Sequence, residues 1–229
     1  MPKYEMHLHT SECDKCAITS AADAVRLYKE AGYDGMFITD HYFAKFFEWF
    51  DIEQNEENHR IFADRWLRGY RTAREEGEKI GFSVFLGAEL RFDGENINDY
   101  LLYGLTEEDI YELPYLNRLG SITKLREVLP DRVLIVQAHP FRDGMTVADP
   151  TALFGIETHN GRNKPIRNEL AIAYARHYGK REFSGSDFHA EKHIATGGII
   201  TPDPVYDSAQ MISVLKSGNY ELIRNYKNR

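Results

Sequence analysis

The sequence predicts an α/β fold in which helices alternate with the strands of a parallel sheet. Seven short apolar segments of strand length are separated by longer stretches, most of them with helical periodicity. The 229 residues also suit one sheet of about seven strands, because single domains of this class reach ~250 residues. Periodicity alone leaves open whether the sheet closes into a β/α barrel or forms an open, doubly wound sheet.

The first strand and helix illustrate the evidence for each element. Residues 3–8 form the first predicted strand, and Ser20 then offers an N-cap for a helix that Gly32 ends. A longer helical period follows at residues 57–80 and ends at Gly81. The other predicted strands cover residues 35–39, 82–90, 100–105, 133–138, 155–158 and 182–186. The other predicted helices cover residues 122–129, 164–178 and 207–217.

The composition excludes several classes of protein. A net charge of −8 disfavours a nucleic-acid-binding surface, which needs a surplus of basic residues. No run of about 20 apolar residues predicts a membrane span, and the first residues lack the apolar core of a signal peptide. Cys13 and Cys16 form a single C-x-x-C pair without a second pair to complete a zinc ribbon, so reduced thiols are expected. We therefore expect a cytoplasmic protein.

The chain is predicted to be a single domain, residues 1–229, with a helical and aromatic insertion at about residues 42–80. Residues 41–58 hold six aromatic side chains beside five acidic ones. Such a segment suits a lid or a partner surface, and it equally suits a hydrophobic hook that packs onto the fold. The aromatic residues are Tyr42, Phe43, Phe46, Phe47, Trp49 and Phe50.

Histidines and acids gather at the ends of the predicted strands. His7 and His9 share one face of the first strand because side chains alternate with a period of two. Asp187 and His189 repeat this spacing, and Glu89 ends the third strand, where a carboxylate can bridge two cations. The motifs in chain order are His7-Leu8-His9, Thr39-Asp40-His41, Gly87-Ala88-Glu89, His139-Pro140 and Gly185-Ser186-Asp187-Phe188-His189. Imidazole and carboxylate groups that converge in this way indicate a transition-metal site.

In this order, the five motifs resemble those of the polymerase and histidinol phosphatase (PHP) superfamily, from His7 to about Thr201. The resemblance implies a distorted (β/α)7 barrel with a metal site at the C-terminal ends of the strands. It also implies two to three divalent ions (Zn, Mn or Fe) and hydrolysis of phosphate esters. The implied ligands are His7, His9, Glu89 and Asp187 for one ion, Glu89 and His139 for a second, and Asp14, His41 and His189 for a third.

The chain departs from the family pattern at two positions. Cys13 stands where serine is usual, and no histidine occupies the segment that supplies a ligand of the second ion. Asp99 is our substitute for that histidine, and a turn residue is the alternative. Asp40 is expected either to orient a metal-bound imidazole or to cap the next helix.

Clustered divalent ions lower the pKa of bound water towards ~7 and neutralise phosphate oxygens. We therefore expect a metal-bridging hydroxide, held by Glu89 and Asp187, to attack phosphorus. His159 is a candidate for proton transfer as well as for substrate binding. Arg142 and Arg162, on predicted loops at the same end of the sheet, are candidates to bind the phosphate.

The function predicted from the sequence is a metal-dependent phosphoesterase that acts on a small phosphorylated metabolite or a nucleotide. A histidinol-phosphate phosphatase and a catalytically silent, metal-binding regulatory or scaffolding protein are the alternatives. The near-complete set of candidate ligands favours an enzyme over a silent module. The substrate, the native metal and the oligomeric state do not follow from the sequence.

Overall fold

The structure, a computed structural model, describes residues 1–226, which form ten strands and eight α-helices. The strands are β1 (Lys3–Glu5), β2 (Gly35–Ile38), β3 (His41–Tyr42), β4 (Ser83–Arg91), β5 (Asp99–Tyr103), β6 (Leu134–Gln137), β7 (Gly155–Asn160), β8 (Arg181–Gly185), β9 (Gly197–Ile200) and β10 (Glu221–Arg224). The helices are α1 (Ala21–Glu30), α2 (Ala44–Phe50), α3 (His59–Trp66), α4 (Arg68–Ile80), α5 (Glu107–Glu112), α6 (Ile122–Val128), α7 (Pro165–His177) and α8 (Ser208–Ser217).

All ten strands belong to one sheet, with the order β10-β9-β1-β2-β4-β5-β6-β7-β8 and β3 beside β4. The pairs β1–β2, β2–β4, β6–β7 and β7–β8 are parallel, as predicted. The expectation of a wholly parallel sheet was wrong in two places. Strand β5 runs antiparallel to both of its neighbours, and β9 and β10 form an antiparallel pair beside β1.

The two ends of the sheet approach each other, so the sheet forms a nearly closed barrel. Beyond β1, the backbone of His7 and His9 exchanges hydrogen bonds with Phe188, just after β8, at 3.1 and 2.9 Å. The hydroxyl of Ser186 accepts hydrogen bonds from the backbone N–H of Thr196 and Gly197, at 3.0 and 2.9 Å. Of the two arrangements that periodicity left open, the structure has the barrel and not the open, doubly wound sheet.

Helix ends follow the expected local chemistry. The hydroxyl of Ser20 accepts a hydrogen bond from the backbone N–H of Asp23 at the start of α1, as predicted. Gly81 ends α4 with φ of 66°, in the left-handed region that glycine adopts at low cost. No helix within residues 1–226 combines the length and apolar character that a membrane crossing requires.

The aromatic segment packs against the barrel. Phe46, Phe47 and Trp66 are buried in one core cluster with side chains of β4 and β5, while Trp49 and Phe50 at the end of α2 are only partly buried. Packing therefore uses most of the aromatic surface, in agreement with the hydrophobic-hook interpretation. The single-domain prediction stays a prediction, and its last three residues lie outside the described part.

The single helix predicted at residues 57–80 is divided into α3 and α4 at Leu67. Near this junction Gly69 lies against the segment that follows β1. A Cβ atom at Gly69 would lie 2.2 Å from Oγ1 of Thr10 and 2.4 Å from Oδ2 of Asp40. The chain therefore needs a residue without a side chain here, and α4 begins in close contact with the histidine-bearing end of the barrel.

Candidate metal centre

The predicted metal ligands come together at one end of the barrel. Each of them lies at the C-terminal end of a parallel strand or in the segment that follows it, except Asp99. Because β5 is antiparallel, its first residue, Asp99, lies at that same end. The residues brought together are His7, His9, Asp14, His41, Glu89, Asp99, His139, Asp187 and His189.

Glu89 lies at the centre of the cluster, with four imidazoles around its carboxylate. Its Oε1 is 2.8 Å from Nε2 of His139 and 3.3 Å from Nε2 of His7. Its Oε2 is 3.0 Å from Nε2 of His41 and 3.2 Å from Nε2 of His9. Each oxygen thus faces a different pair of histidines, which is the arrangement expected of a carboxylate that bridges two cations.

Asp187 lies between the histidines of the cluster and two partly exposed arginines, Arg142 and Arg162. Its Oδ1 lies 3.3 Å from Nδ1 of His189 and 3.7 Å from Nε2 of His9. Arg142 donates to Oδ2 at 2.5 Å, and Arg162 donates to Oδ1 at 3.3 Å. Both guanidinium groups are partly exposed, whereas the Asp187 side chain is buried. The two predicted phosphate-binding arginines therefore lie at the mouth of the cluster.

Asp14 lies on the opposite side of the cluster. Its Oδ2 is 2.7 Å from Nδ1 of His9 and 2.9 Å from Nδ1 of His41. Its Oδ1 is buried and has no hydrogen-bond partner. A buried carboxylate oxygen without a partner loses the solvation that water would give it, and a bound cation would restore that stabilisation.

Asp99 is the first residue of a strand and is not in a turn. Arg91 binds both of its oxygens, at 2.6 Å each. Its Oδ2 also lies 3.8 Å from Nε2 of His139. Its proximity to His139 suits a ligand of the second ion, but Arg91 competes for the same carboxylate. The ligand role of Asp99 stays a prediction.

Asp40 does not cap the next helix, which is one of the two roles expected for it. The helix that follows it is preceded by Phe43 and has no side-chain cap. Instead, Asp40 accepts hydrogen bonds from the backbone N–H and the hydroxyl of Thr10, at 2.6 and 2.8 Å. Burial, followed by the charge of Asp14, raises its pKa to about 7. Asp40 therefore fixes the segment immediately after His9.

His159 does not face the cluster, which corrects its proposed catalytic and substrate-binding roles. Its Nε2 lies 2.8 Å from the carbonyl oxygen of Thr196, and its Nδ1 lies 3.3 Å from Nδ2 of Asn168. The ring is buried, and burial lowers its pKa. Both ring nitrogens therefore have structural partners, and neither is left for a substrate.

Strand β7 contributes two other residues that the motifs did not identify. Oε1 of Glu157 lies 2.8 Å from Nδ1 of His7, and its Oε2 accepts from the backbone N–H of His139 at 2.9 Å. Asn160 donates to Oε2 of Glu157 at 2.9 Å and to Oδ2 of Asp187 at 3.2 Å. One signal was available in the sequence, since a charged residue in the middle of a buried strand needs a partner.

The charges of the cluster perturb its titration. Burial alone lowers the pKa of His7, but the surrounding carboxylates, first Glu157 and then Glu89, raise it well above its usual value. Burial raises the pKa of a carboxyl, yet Arg142 and His7 hold that of Asp187 well below its ordinary range. The pKa of Glu89 is likewise held well below its ordinary range, by His7 first among the imidazoles around it. In the absence of other cations, protons on imidazole balance these carboxylates.

Two histidines at the rim show the opposite perturbation. Burial and the charge of His9 lower the pKa of His189 to about 4. Burial, followed by Arg162, lowers the pKa of His193 to about 4, and Nδ1 of His193 accepts from the backbone N–H of His189 at 3.2 Å. Both imidazoles are thus neutral at neutral pH, and a neutral imidazole is the form that binds a metal ion.

The backbone is strained at two of the candidate ligands. His139 has φ of 28° and Asp187 has φ of 53°. Side chains other than glycine rarely adopt this left-handed region, and such strain concentrates at functional sites. The fold therefore tolerates an unfavourable backbone conformation where these two side chains turn into the cluster.

The donor set fits divalent transition metals. Several groups of three have ligand atoms within 4.8 Å of one another, among them His9, His41 and His189; His7, His9 and Glu89; and His7, His139 and Asp187. Imidazole nitrogen and carboxylate oxygen are the donors that Zn, Mn and Fe take in such sites. The orphaned oxygen of Asp14 agrees with this interpretation.

Comparisons with known proteins match the fold of this chain and, by sequence, its C-terminal part. A family model described as PHP-associated matches residues 165–220. A two-domain protein from Bacteroides vulgatus that contains a predicted PHP-like metal-dependent phosphoesterase shares 16% identity at a TM-score of 0.63. That match covers 98% of this chain and 65% of the other, so this chain spans less than two thirds of that protein. No curated protein sequence matches this chain.

Two further solved structures share the fold. PsfC from Pseudomonas syringae is 19% identical at a TM-score of 0.62, with 93% of this chain and 88% of PsfC covered. A protein from Bifidobacterium adolescentis assigned as a metal-dependent phosphoesterase is 15% identical at a TM-score of 0.54, with 93% and 95% covered. At 15–19% identity, these solved structures show that this chain shares their fold. The family match over residues 165–220 and the shared barrel agree with the resemblance to the PHP superfamily that the sequence motifs indicate.

Proposed function

We propose that the protein is a metal-dependent phosphoesterase that hydrolyses a small phosphorylated metabolite or a nucleotide. One observation carries the proposal: a buried cluster of imidazoles and carboxylates opens onto two arginines that share the Asp187 carboxylate. A phosphate group that enters past Arg142 and Arg162 would meet first guanidinium groups and then the metal ligands. Guanidinium binds phosphate oxygens in a bidentate manner.

The ligands divide into groups that suit two to three ions. Glu89, with one oxygen towards each pair of histidines, is the proposed bridging ligand. Asp14, His41 and His189 would hold the third ion. When bound, divalent ions lower the pKa of water and neutralise the oxygens of a transferring phosphoryl group. Zn, Mn and Fe are all compatible with the nitrogen and oxygen donors.

Arg142 and Arg162 are proposed to bind the substrate phosphate. Arg142 is held in place through its Nη2, which donates to Asp187 and, at 3.0 Å, to Oδ1 of Asn160. A guanidinium fixed in this way loses little entropy on binding a phosphoryl oxygen. Because an arginine side chain stays charged at every physiological pH, it also stabilises the charge that builds up during phosphoryl transfer.

Phosphate release from a panel of phosphomonoesters and nucleotides tests the function. The wild type is assayed with Mn²⁺, Zn²⁺ or Fe²⁺ beside Asp187→Asn and Arg142→Gln. Arg176→Gln is the matched control, because Arg176 is exposed and pairs with Glu182 away from the cluster. We expect metal-dependent release by the wild type and the control, no release by Asp187→Asn, and a loss of about 100-fold in kcat/KM for Arg142→Gln.

Three outcomes of this assay would contradict parts of the proposal. A metal-loaded wild type that releases no phosphate from any member of the panel would contradict the phosphoesterase proposal. Full activity of Asp187→Asn would remove Asp187 from the ligand set. Equal kcat/KM for Arg142→Gln and the wild type would place the phosphate elsewhere.

A further inference from the structure

The two cysteines of the C-x-x-C pair have different surroundings. Cys13 is buried, and its Sγ donates to the carbonyl oxygen of Trp66 at 2.9 Å. Burial raises the pKa of the Cys13 thiol well above its usual value. Cys16 is exposed, and its Sγ lies 4.0 Å from Nδ1 of His41. Only Cys16 of this pair has its sulfur at the edge of the cluster.

Cys16 completes a group of three potential ligands. The ligand atoms of Asp14, Cys16 and His41 all lie within 4.8 Å of one another. Asp14 is buried, and its Oδ1 has no hydrogen-bond partner, whereas its Oδ2 lies 2.9 Å from Nδ1 of His41. The unpartnered oxygen is an observation independent of the cysteine, and a cation bound by Asp14 would give this oxygen the partner that it lacks.

The distances fit a common ion. Zinc lies ~2.3 Å from a thiolate sulfur and ~2.0–2.1 Å from an imidazole nitrogen. At a tetrahedral angle those bonds separate sulfur and nitrogen by roughly 3.6 Å. The observed 4.0 Å between Cys16 and His41 therefore requires a movement of a few tenths of an ångström, which an exposed side chain can make.

We propose that the Cys16 thiolate is a ligand of the metal ion held by Asp14 and His41. The proposal rests on the metal centre of the proposed function and adds a sulfur donor to a set otherwise made of nitrogen and oxygen. On coordination the thiol proton is released to solvent and the sulfur forms the bond to the metal. A sulfur donor selects zinc, ferrous iron or cobalt over manganese at this position. The centre would then hold chemically unequal metal sites.

Cobalt substitution tests the proposal directly. Chelator-treated full-length protein is titrated with Co²⁺ while bound cobalt is counted and the near-ultraviolet spectrum is recorded. A thiolate bound to cobalt gives a charge-transfer band that nitrogen and oxygen ligands do not give. We expect the band in the wild type and in Cys13→Ser, and its loss in Cys16→Ser. The Cys13→Ser variant is the matched control, because its new hydroxyl can still donate to the carbonyl oxygen of Trp66.

Alkylation supplies a second measurement that does not depend on the spectrum. Iodoacetamide labelling followed by mass spectrometry should modify Cys16 in the metal-free protein, and added Zn²⁺ should protect it. Cobalt uptake without the band, a band that persists in Cys16→Ser, or labelling of Cys16 that zinc leaves unchanged would each overturn the proposal. Absence of any cobalt uptake would overturn the metal centre itself, and with it the proposed function. A band in a protein that releases no phosphate would support the thiolate ligand while contradicting the phosphoesterase.

Discussion

The direction of the His159 side chain depends on an irregularity of one residue in β7. Residues 155, 157 and 159 would share one face of a regular strand, so alternation predicts that Glu157 and His159 both face the cluster. The pairing of β7 with β8 shifts register between these two residues. A bulge of this kind reverses the side-chain direction beyond it. Asn160 therefore takes the inward position that regular alternation would give to His159.

Glu157→Gln is expected to weaken metal binding by about 10–100-fold, the usual effect of losing a charged partner of a ligating histidine. Glutamine can still accept from Nδ1 of His7, but it removes the charge that holds the imidazole in place. Affinity is measured by competition with a chromophoric chelator. Glu182→Gln is the control, since Glu182 forms its ion pairs with Arg176 and Arg224. Equal losses in the two variants would show a non-specific effect of charge.

His193→Asn is expected to make the metal-free protein less sensitive to acid. The folded-state pKa of His193 is about 4, below the value of ~6.5 for an unfolded chain. The unfolded state therefore binds more protons between about pH 6.5 and 4, and the free energy of unfolding falls as the pH falls through that window. Asparagine can still accept the hydrogen bond from His189 but does not titrate.

Urea unfolding at several values between about pH 7 and 4.5, followed by tryptophan fluorescence, checks this expectation. The loss of stability on acidification should be smaller in His193→Asn than in the wild type, while His189 titrates in both. If the variant loses as much stability as the wild type, the pKa of His193 is not lowered by burial in the folded state, and this prediction is contradicted.

Spacing identified the residues of the cluster better than it identified their partners. The convergence of His7 and His9 follows from the period of two, and their Nε2 atoms lie 3.1 Å apart just beyond the end of β1. Asp14 was predicted from the resemblance to the PHP pattern. Asp99 was predicted as the substitute for the histidine that is missing from that pattern. Glu157 belongs to none of the motifs, and the motif that contains Asp40 does not reveal its partner, because these contacts are made with other strands and with a backbone N–H group. Such contacts exist only once the barrel has formed.

At the scale of the elements, the antiparallel direction of β5 could have been predicted from the length of the loop before it. Only seven residues, 92–98, connect β4 to β5. A parallel connection needs about ten or more residues, because the chain must return to the start of the next strand. The short connection thus favours an antiparallel pair, which is the pairing found. The two strands β9 and β10 carry no comparable signal, because their short segments lie beside glycine and charged residues.

Gly69→Ala is expected to destabilise the junction of α3 and α4 by about 1–3 kcal/mol, the usual cost of overpacking. The added methyl group would meet Oγ1 of Thr10 and Oδ2 of Asp40. Because that pair fixes the segment after His9, metal affinity should fall as well. Arg68→Ala, one residue earlier and exposed, is the control. Urea unfolding with and without metal measures both effects, and unchanged values for Gly69→Ala would contradict the close approach.

At the scale of the whole molecule, metal removal is expected to lower the melting temperature. An ion present at about 100 times its dissociation constant stabilises the folded state by about 2.7 kcal/mol. For a chain of this length that corresponds to roughly 5–10 °C. Differential scanning calorimetry before and after chelation measures the shift, and re-addition of Zn²⁺ or Mn²⁺ should restore it. A melting temperature that is independent of metal would show that the cluster is neutralised by protons alone.

The pairing of β1 with β9 has a consequence for synthesis of the protein. Tyr4 lies opposite Ile199 in this antiparallel pair, and His9 bonds to Phe188 beyond it. His7 and His9, the first proposed ligands in the chain, are therefore synthesised nearly two hundred residues before β1 has both of its neighbouring strands. Until then, His7 and His9 are exposed on a nascent chain that lacks most of the acidic partners. Loading of the proposed metal centre would consequently be a late event, after translation has passed residue 200.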